Sequence, residues 1–116
     1  MIILYGLATC GSVKKARDWL KSHGLEYRFY ELRREGLSLA LLQEFAERLV
    51  DWQVLVNRKS ATWKSFSPEQ RLLADTLATA LPLIIEYPTL IKRPVLDTGE
   101  VILIGFDADN YERTLL

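Results

Sequence analysis

The sequence predicts one α/β domain in which β-containing ends flank a helical middle, and three observations indicate it. Apolar runs of strand length lie near both ends of the chain, at Ile2 to Tyr5 and between Pro94 and Ile104. The stretch between them carries helix caps followed by apolar residues at helical spacing. With 116 residues and no repeats, linkers or low-complexity tracts, the chain has the size of a single domain with its own core.

The first third of the chain predicts a β-α-β unit. Ile2 to Tyr5 form a short apolar run ended by Gly6, which is typical of a buried strand. After a turn-like segment, apolar side chains recur at the spacing of a helix, at Val13, Ala16 and Leu20. Gly24 then acts as a stop signal, and Tyr27 to Leu32 carry the aromatic residues typical of a second strand. This order favours parallel pairing of the two strands with a right-handed crossover.

Polar side chains in front of apolar runs predict three helix starts in the middle of the chain. Ser38 is expected to cap a helix that contains Leu41, Leu42, Phe45, Ala46 and Leu49. Asp51 is expected to cap a shorter helix through Trp52, Val54 and Leu55. Ser67 begins a third helix, because Pro68 takes the first helical position and Gln70 the third, as in a capping box.

A fourth helix is predicted directly before the second β region. It runs from about Thr79 to Tyr87 and is ended by Pro88. Pro82 is expected to be tolerated only in its first turn, because proline has no N–H to donate along a helix. The helical block as a whole is expected to span about residues 37–87.

The last third of the chain predicts a hairpin and a closing helix. Pro94 to Leu96 and Val101 to Ile104 are short β-type runs, joined by a glycine-containing turn at 97–100. Asp107 can cap a final helix that contains Tyr111, Leu115 and Leu116. The predicted order is therefore β-α-β, a helical block and β-β-α, without a domain boundary.

Cys10, the only cysteine, lies between the first strand and the first helix. The first N–H groups of a helix, including that of Ser12, lack intrahelical partners, and with the positive end of the helix dipole they favour an anion. We therefore predict an activated thiolate at Cys10, with Lys14 adding a positive charge one turn further on. Gly11 lets a substrate backbone or an oxyanion approach closely. The alternative from position alone is a small buried hydrophobic residue.

A lone cysteine limits the chemistry that the chain can complete by itself. It cannot form an intrachain disulfide, which fits a reducing compartment and predicts a cytoplasmic location. A sulfur of low pKa is also a good leaving group when a second thiol resolves a mixed disulfide. The sequence therefore suits a cycle completed by an external thiol.

Composition excludes several other classes of function. The 15 basic and 15 acidic residues cancel, so no long-range field favours direct binding of nucleic acid or of an anionic membrane. The apolar runs are too short to span a bilayer, and no signal peptide is expected. One histidine and one cysteine do not make a zinc site, so no metal centre is predicted. The tryptophans Trp19, Trp52 and Trp63 are assigned to the core or to a partner surface.

Four segments resemble a known family. Residues 9–17, TCGSVKKAR, are similar to the first helix of the arsenate reductase (ArsC)/Spx family of thioredoxin-like proteins, and most similar to its short YffB-type branch. The other three agree in order and spacing: Leu55-Val56-Asn57-Arg58 followed by Thr62-Trp63-Lys64, residues 88–95 with the sequence PTLIKRPV, and Ile104-Gly105-Phe106. The resemblance covers nearly the whole chain.

The resemblance implies a thioredoxin-like α/β fold with a mixed sheet, in which the helical block is an insertion between the two halves. It also implies a cis peptide between Arg93 and Pro94 that places this loop beside Cys10. In the arsenate reductases the cysteine attacks arsenic while three arginines bind the oxyanion, and Arg58 and Arg93 match two of these positions. The third falls near Phe106, so one charge-assisted anchor is missing here.

For the YffB-type branch the implied function is a glutathione-dependent thiol reductase. Cys10 would be the nucleophile, and Arg58 and Arg93 would hold a glutathione carboxylate or an oxyanion. Glutathione or a glutaredoxin would resolve the adduct, with glutathione as co-substrate and no bound cofactor. Two alternatives stay open. One is arsenate reduction. The other is a regulatory module that binds RNA polymerase, as Spx-type regulators do, although Val13 stands where their C-x-x-C switch has its second cysteine.

Overall fold

The computed structural model describes residues 1–116, and the chain forms two compact units. The first unit comprises Met1–Gly36 together with Arg93–Leu116, and the second comprises Leu37–Lys92. The helical block predicted at about 37–87 lies in the second unit, which continues to Lys92. The β-containing ends of the chain meet in the first unit.

A four-stranded mixed sheet forms the centre of the first unit. Its strand order is β2-β1-β3-β4, and the strands are β1 (Ile2–Gly6), β2 (Tyr27–Glu31), β3 (Val95–Asp97) and β4 (Ile102–Ile104). β1 and β2 are parallel with Leu4 opposite Phe29, and β3 is antiparallel to both β1 and β4. The parallel opening, the closing hairpin and the thioredoxin-like α/β class are thus confirmed.

The two units together contain seven α-helices. They are α1 (Gly11–Ser22), α2 (Leu32–Glu35), α3 (Leu39–Glu47), α4 (Ala61–Ser65), α5 (Pro68–Leu72), α6 (Leu77–Glu86) and α7 (Ala108–Leu115). Short 3₁₀ helices lie at Trp52–Leu55, Leu73–Asp75 and Pro88–Leu90. None of these helices has both the length and the apolar composition needed to cross a membrane.

The core of the first unit lies where α1 and α7 pack on the sheet. Its fully buried members come from β1, α1, β3 and α7, and they are Leu4, Val13, Ala16, Leu20, Leu96 and Tyr111. The three residues of α1 in this set are those whose spacing predicted the helix. Burial of this apolar face stabilises α1 on the sheet and so fixes the residue that precedes it, Cys10.

The predicted helix caps are present in the structure. The Ser38 hydroxyl accepts a hydrogen bond from the Leu41 N–H at 3.1 Å, and Asp51 caps the 3₁₀ helix at Trp52–Leu55. Ser67 and Gln70 form the reciprocal capping box. α4, capped by Ser60, was not predicted, because it is too short to show a helical period in the sequence.

Several predicted boundaries were wrong. The helix capped by Ser38 ends at Glu47, so the predicted Leu49 lies outside it, and α7 ends at Leu115, before the predicted Leu116. The second strand ends at Glu31 rather than Leu32, because the Glu31 carboxylate accepts the N–H of Arg33 and caps α2, which begins at Leu32. Pro82 was expected only in a first turn, but α6 begins at Leu77 and holds Pro82 in its interior. The missing hydrogen bond of Pro82 is offset by a buried face of this helix, formed by Ala80, Leu81, Leu83 and Ile84.

Candidate active site

Cys10 is the N-cap residue of α1, in an extended conformation with φ −80° and ψ 127°. Its backbone is tied on both sides: the Cys10 N–H donates to the Leu7 carbonyl at 3.0 Å, and the Cys10 carbonyl accepts the N–H of Lys14 at 3.0 Å. The side chain is half-buried and free of any disulfide. The thiol therefore sits at a fixed strand-to-helix junction, as predicted.

Gly6, the last residue of β1, allows α1 to start this close to the sheet. A Cβ atom at Gly6 would lie 2.5 Å from Cγ2 and 3.1 Å from Cγ1 of Val13, which is a steric overlap. Val13 is fully buried and cannot move away. The sequence showed Gly6 only as the end of a strand. Its role in the close approach of two elements could not be predicted without their packing.

The surroundings of the Cys10 sulfur favour the thiolate. Burial raises the pKa of the Cys10 thiol. Three donors act in the opposite direction: the backbone N–H of Val13, the side chain of Arg93 and the backbone N–H of Ser12. Their hydrogen bonds and the positive charge of Arg93 outweigh burial, so the pKa of Cys10 lies below that of an ordinary thiol.

Arg93 reaches the sulfur from a loop that is distant in sequence. The peptide between Arg93 and Pro94 is cis, which confirms the implication of the family resemblance. The Pro94 carbonyl accepts the N–H of Gly105 at 2.8 Å, and Gly105 has a φ of +78°, a backbone conformation that glycine adopts without strain. Gly105 thus anchors the loop that presents Arg93 to Cys10.

The loop before Cys10 is anchored from the other side by Glu31. Its carboxylate accepts the N–H of Ala8 at 2.7 Å and the N–H of Arg33 at 2.7 Å. The bond from Ala8 is the main reason why the pKa of Glu31 lies below its usual range, and the bond from Arg33 is the second. No sequence signal pointed to Glu31, because its partner in the loop lies in a different element.

The other residues predicted around the thiol differ in their surroundings. Gly11 faces open space, with no atom within 4 Å of the position of a Cβ, which is consistent with close approach by a substrate. Ser12 contributes its backbone N–H to the sulfur. Lys14 is exposed and is not among the groups that lower the pKa of Cys10, so its role at the thiol stays a prediction.

A groove of about 550 Å³ lies beside the loop that carries Cys10. Thr9, Phe29, Arg33 and Arg34 are among the residues that line it. The volume is within the range of small-molecule sites in proteins. The lining combines the ring of Phe29 and two guanidinium groups with the carboxylates of Glu31 and Glu35, and Cys10 itself is not part of it.

Arg58 belongs to the second unit, where its backbone is held in a turn. The Asn57 N–H donates to the Leu90 carbonyl at 2.8 Å, and the Asn57 side chain accepts the N–H of Lys59 at 3.1 Å. The Arg58 guanidinium lies over the ring of Trp63, with 4.7 Å from Cζ to the ring centroid, and Nη2 donates to Oε1 of Gln53 at 3.3 Å. The contact with Trp63 was not predicted from the sequence.

Two positions depart from the pattern of the family that the sequence resembles. Phe106, near which the resemblance places a third arginine, packs edge-on against the buried Tyr111, with 4.9 Å between ring centroids. Residue 13, where a C-x-x-C motif has its second cysteine, is valine and carries no thiol, and its side chain is fully buried in the core of the first unit.

Comparison with known proteins identifies the family of the chain. The sequence profile described as the ArsC family matches residues 5–114. The chain belongs to the ArsC family. It is 40% identical over 112 residues to an uncharacterized protein of Haemophilus influenzae, covering 97% of this chain and 96% of the relative. It is 32% identical over 115 residues to the global transcriptional regulator Spx 2 of Oceanobacillus iheyensis, covering 97% of this chain and 82% of the relative.

A solved structure of a YffB protein gives the same assignment. It superimposes with a TM-score of 0.90 and 34% identity, over 100% of both chains. At this identity the likeness extends beyond the fold to the branch of the ArsC family that the motif around Cys10 resembles. The family assignment made from the sequence is therefore confirmed.

Proposed function

We propose that this ArsC-family chain is a glutathione-dependent thiol reductase with Cys10 as its nucleophile. One observation supports the proposal most directly. The Val13 and Ser12 N–H groups and the Arg93 side chain lower the pKa of Cys10 in spite of partial burial. A thiolate at the start of a helix is the reactive form in thiol–disulfide exchange.

The proposed cycle reduces a mixed disulfide between glutathione and a substrate. The Cys10 thiolate attacks the glutathione sulfur, the substrate sulfur leaves as a thiolate that takes up a proton, and a Cys10–glutathione disulfide forms. A second glutathione, as thiolate, then attacks the glutathione sulfur of this adduct. Oxidised glutathione is released with Cys10 as the leaving thiolate. Over the two steps the second glutathione is oxidised and the substrate sulfur is reduced, while the sulfur of the first glutathione stays in a disulfide throughout. The lowered pKa of Cys10 assists its departure as a thiolate.

In this proposal the remaining site residues bind the anionic parts of glutathione. Arg93 and Arg58 hold carboxylates through charge-assisted hydrogen bonds, and Gly11 leaves room for the glutathione backbone. Lys14 adds positive charge, and the Pro94 loop presents Arg93. A glutaredoxin could take the place of the second glutathione, and the cytoplasm supplies reduced glutathione. No bound cofactor is needed.

The pH dependence of alkylation tests the activated thiol. We expect the rate of Cys10 modification by iodoacetamide to reach half its maximum clearly below about 8.5, the value for a free thiol. Arg93→Gln should raise this midpoint, while Arg113→Gln, on α7, should leave it unchanged. Cys10→Ser should form no adduct with glutathione disulfide by mass spectrometry and should have no reductase activity. A midpoint near 8.5 for the wild type, or activity in Cys10→Ser, would contradict the proposal.

A second candidate function is a regulatory module that binds RNA polymerase. Its support is the 32% identity to a protein named as the regulator Spx 2. In a pull-down with purified RNA polymerase, equal retention by the wild type and by Cys10→Ser would favour this candidate over the reductase. Arsenate reduction is a third candidate, supported by the family description. Arsenate-dependent oxidation of glutathione would identify it, and Phe106 at the position of the third arginine argues for a weak response.

A further inference from the structure

The ring of Trp63 carries two guanidinium groups. The Cζ atom of Arg58 lies 4.7 Å from the Trp63 ring centroid, and the Cζ atom of Arg71 lies 5.5 Å from it. Arg71 is fixed by its own hydrogen bonds, from Nε to the Trp63 carbonyl at 3.4 Å and from Nη2 to the Lys64 carbonyl at 3.3 Å. Trp63 is half-buried, its backbone N–H donates to the Ser60 hydroxyl at 3.1 Å, and its ring centroid lies 6.1 Å from that of the buried Phe66. The ring is thus held by its surroundings, and the exposed side chain of Arg58 rests on it.

Neither arginine on this ring is neutralised by an acidic side chain. The ion pairs of the structure join Arg28 to Glu35 and Arg48 to Glu44. Arg58 makes one side-chain hydrogen bond, to the amide oxygen of Gln53 at 3.3 Å. A guanidinium has five N–H donors in its plane. The hydrogen bond to Gln53 uses one nitrogen of the Arg58 guanidinium, so its other donors remain available for an anion.

From this geometry we infer that Trp63, assisted by Gln53, is a positioning residue that holds Arg58 ready to bind a carboxylate. The inference rests on the proposed function in taking as the anion a carboxylate of the glutathione that reacts with Cys10. An exposed arginine otherwise samples many rotamers, and ordering it upon binding costs affinity. Trp63 and Gln53 order it beforehand, and Arg71 on the same ring keeps the local potential positive.

The first test measures the ordering of Arg58 directly. ¹⁵N relaxation of the Arg58 Nε–H group should report a rigid side chain in the wild type and a mobile one in Trp63→Leu. Trp63→Phe keeps an aromatic face and should retain most of the order. Gln53→Ala, an exposed change that leaves the ring intact, should loosen Arg58 in part. Equal mobility in the wild type and in Trp63→Leu overturns the inference, whatever the protein does with glutathione.

The second test measures the consequence for anion recognition. The rate of Cys10 modification by glutathione disulfide is divided by the rate with uncharged hydroxyethyl disulfide. Trp63→Leu should lower this ratio about two- to fivefold, the range expected for loss of an exposed cation–π contact. Trp63→Phe should restore most of it, and Lys59→Gln, which removes the neighbouring charge but no stacking contact, should change it little. In an Arg58→Ala background Trp63→Leu should have no further effect.

The outcomes separate this inference from the proposed function. A Trp63→Leu effect that persists in the Arg58→Ala background shows that Trp63 does not act through Arg58, and overturns the inference. If Arg58 becomes mobile in Trp63→Leu but the ratio of the two disulfide rates is unchanged, the order of the Arg58 side chain has no consequence for anion recognition. This result also overturns the inference. If Cys10 does not react with either disulfide, the proposed reductase fails. In that case the inference is decided by the NMR chemical shift of the Arg58 Nε–H group as glutathione is added. A shift in the wild type that is far smaller in Trp63→Leu supports the inference, and equal shifts in the two proteins refute it.

Discussion

Replacing Gly6 by alanine tests the link between the packing of α1 and the chemistry of Cys10. The added Cβ would lie 2.5 Å from Cγ2 of Val13, 3.1 Å from Cγ1 and 3.4 Å from Cβ. Both methyl groups of Val13 are fully buried in the core, and its χ1 angle is confined by the helix. The only relief is a shift of α1 away from β1. We therefore expect Gly6→Ala to destabilise the fold.

The size of the effect follows from two opposing contributions. Insertion of a methyl group into a packed core costs about 1–3 kcal/mol. Replacing glycine by alanine also reduces the entropy of the unfolded chain, which returns about 0.4–1 kcal/mol. A Cβ atom 2.5 Å from a methyl group of the fully buried Val13 puts the cost of insertion in the upper part of its range, at about 2–3 kcal/mol, so a net loss of about 1–2 kcal/mol remains. For a chain of this length it corresponds to a Tm lower by roughly 3–12 °C.

Thermal denaturation followed by circular dichroism measures this loss, and two further variants show its cause. Gly11→Ala adds the same methyl group where no atom lies within 4 Å, so its Tm should equal or slightly exceed that of the wild type. Val13→Ala leaves a cavity and costs about 2 kcal/mol by itself. Once the methyl groups of Val13 are removed, Gly6→Ala should cause no further loss, which gives a coupling of about 1–2 kcal/mol between the two positions.

The same variants connect packing to reactivity. The Val13 N–H is the donor that lowers the pKa of Cys10 most. If Gly6→Ala displaces the first turn of α1, this donor moves relative to the sulfur, and the midpoint of Cys10 alkylation should rise while that of Gly11→Ala stays at the wild-type value. A wild-type Tm for Gly6→Ala, or an equal loss in the Val13→Ala background, would refute the steric argument.

Two further predictions concern the anchors on either side of Cys10. Gly105→Ala places a Cβ at a φ of +78° and should cost about 1–2 kcal/mol; it should also raise the alkylation midpoint of Cys10, because the Pro94 loop that presents Arg93 is loosened. Glu31→Gln should weaken the tether to Ala8. Because the pKa of Glu31 is lowered in the folded state, its stabilising contribution is present above the unfolded value of about 4.3 and is lost as the pH falls through the folded pKa. The difference in urea midpoint between wild type and Glu31→Gln should therefore narrow from pH 7 to pH 3.

The fold was predictable because its main signals are local. The spacing of Val13, Ala16 and Leu20 predicts the buried face of α1, and Ser38 and Asp107 cap the helices that follow them. The errors arose where tertiary packing overrides local preference. Pro82 is tolerated inside α6 because that helix is buried along one face, and no property of the proline itself shows this.

The candidate site was predictable only in part, for the same physical reason. Cys10 and the N–H groups after it belong to one turn of chain, so their arrangement follows from the helix start. The pairing of Cys10 with Arg93 depended on a family resemblance, because the two residues meet only through the sheet and the Pro94 loop. Glu31 and Gly6 were missed, since their roles consist of single contacts with another element. Trp63 was assigned to core or partner surface, and its stacking with Arg58 could not be read from spacing.

Val13 has two roles beside the single cysteine of this chain, one through its backbone and one through its side chain. Its backbone N–H stabilises the charge on Cys10, while its side chain fills the space above Gly6 in the core. Because residue 13 is valine, it supplies packing and a backbone donor at this place and no second thiol. The structure therefore uses residue 13 for activation and packing together. An adduct on Cys10 must then be resolved by a thiol from outside the chain, which is the step that glutathione supplies in the proposed cycle.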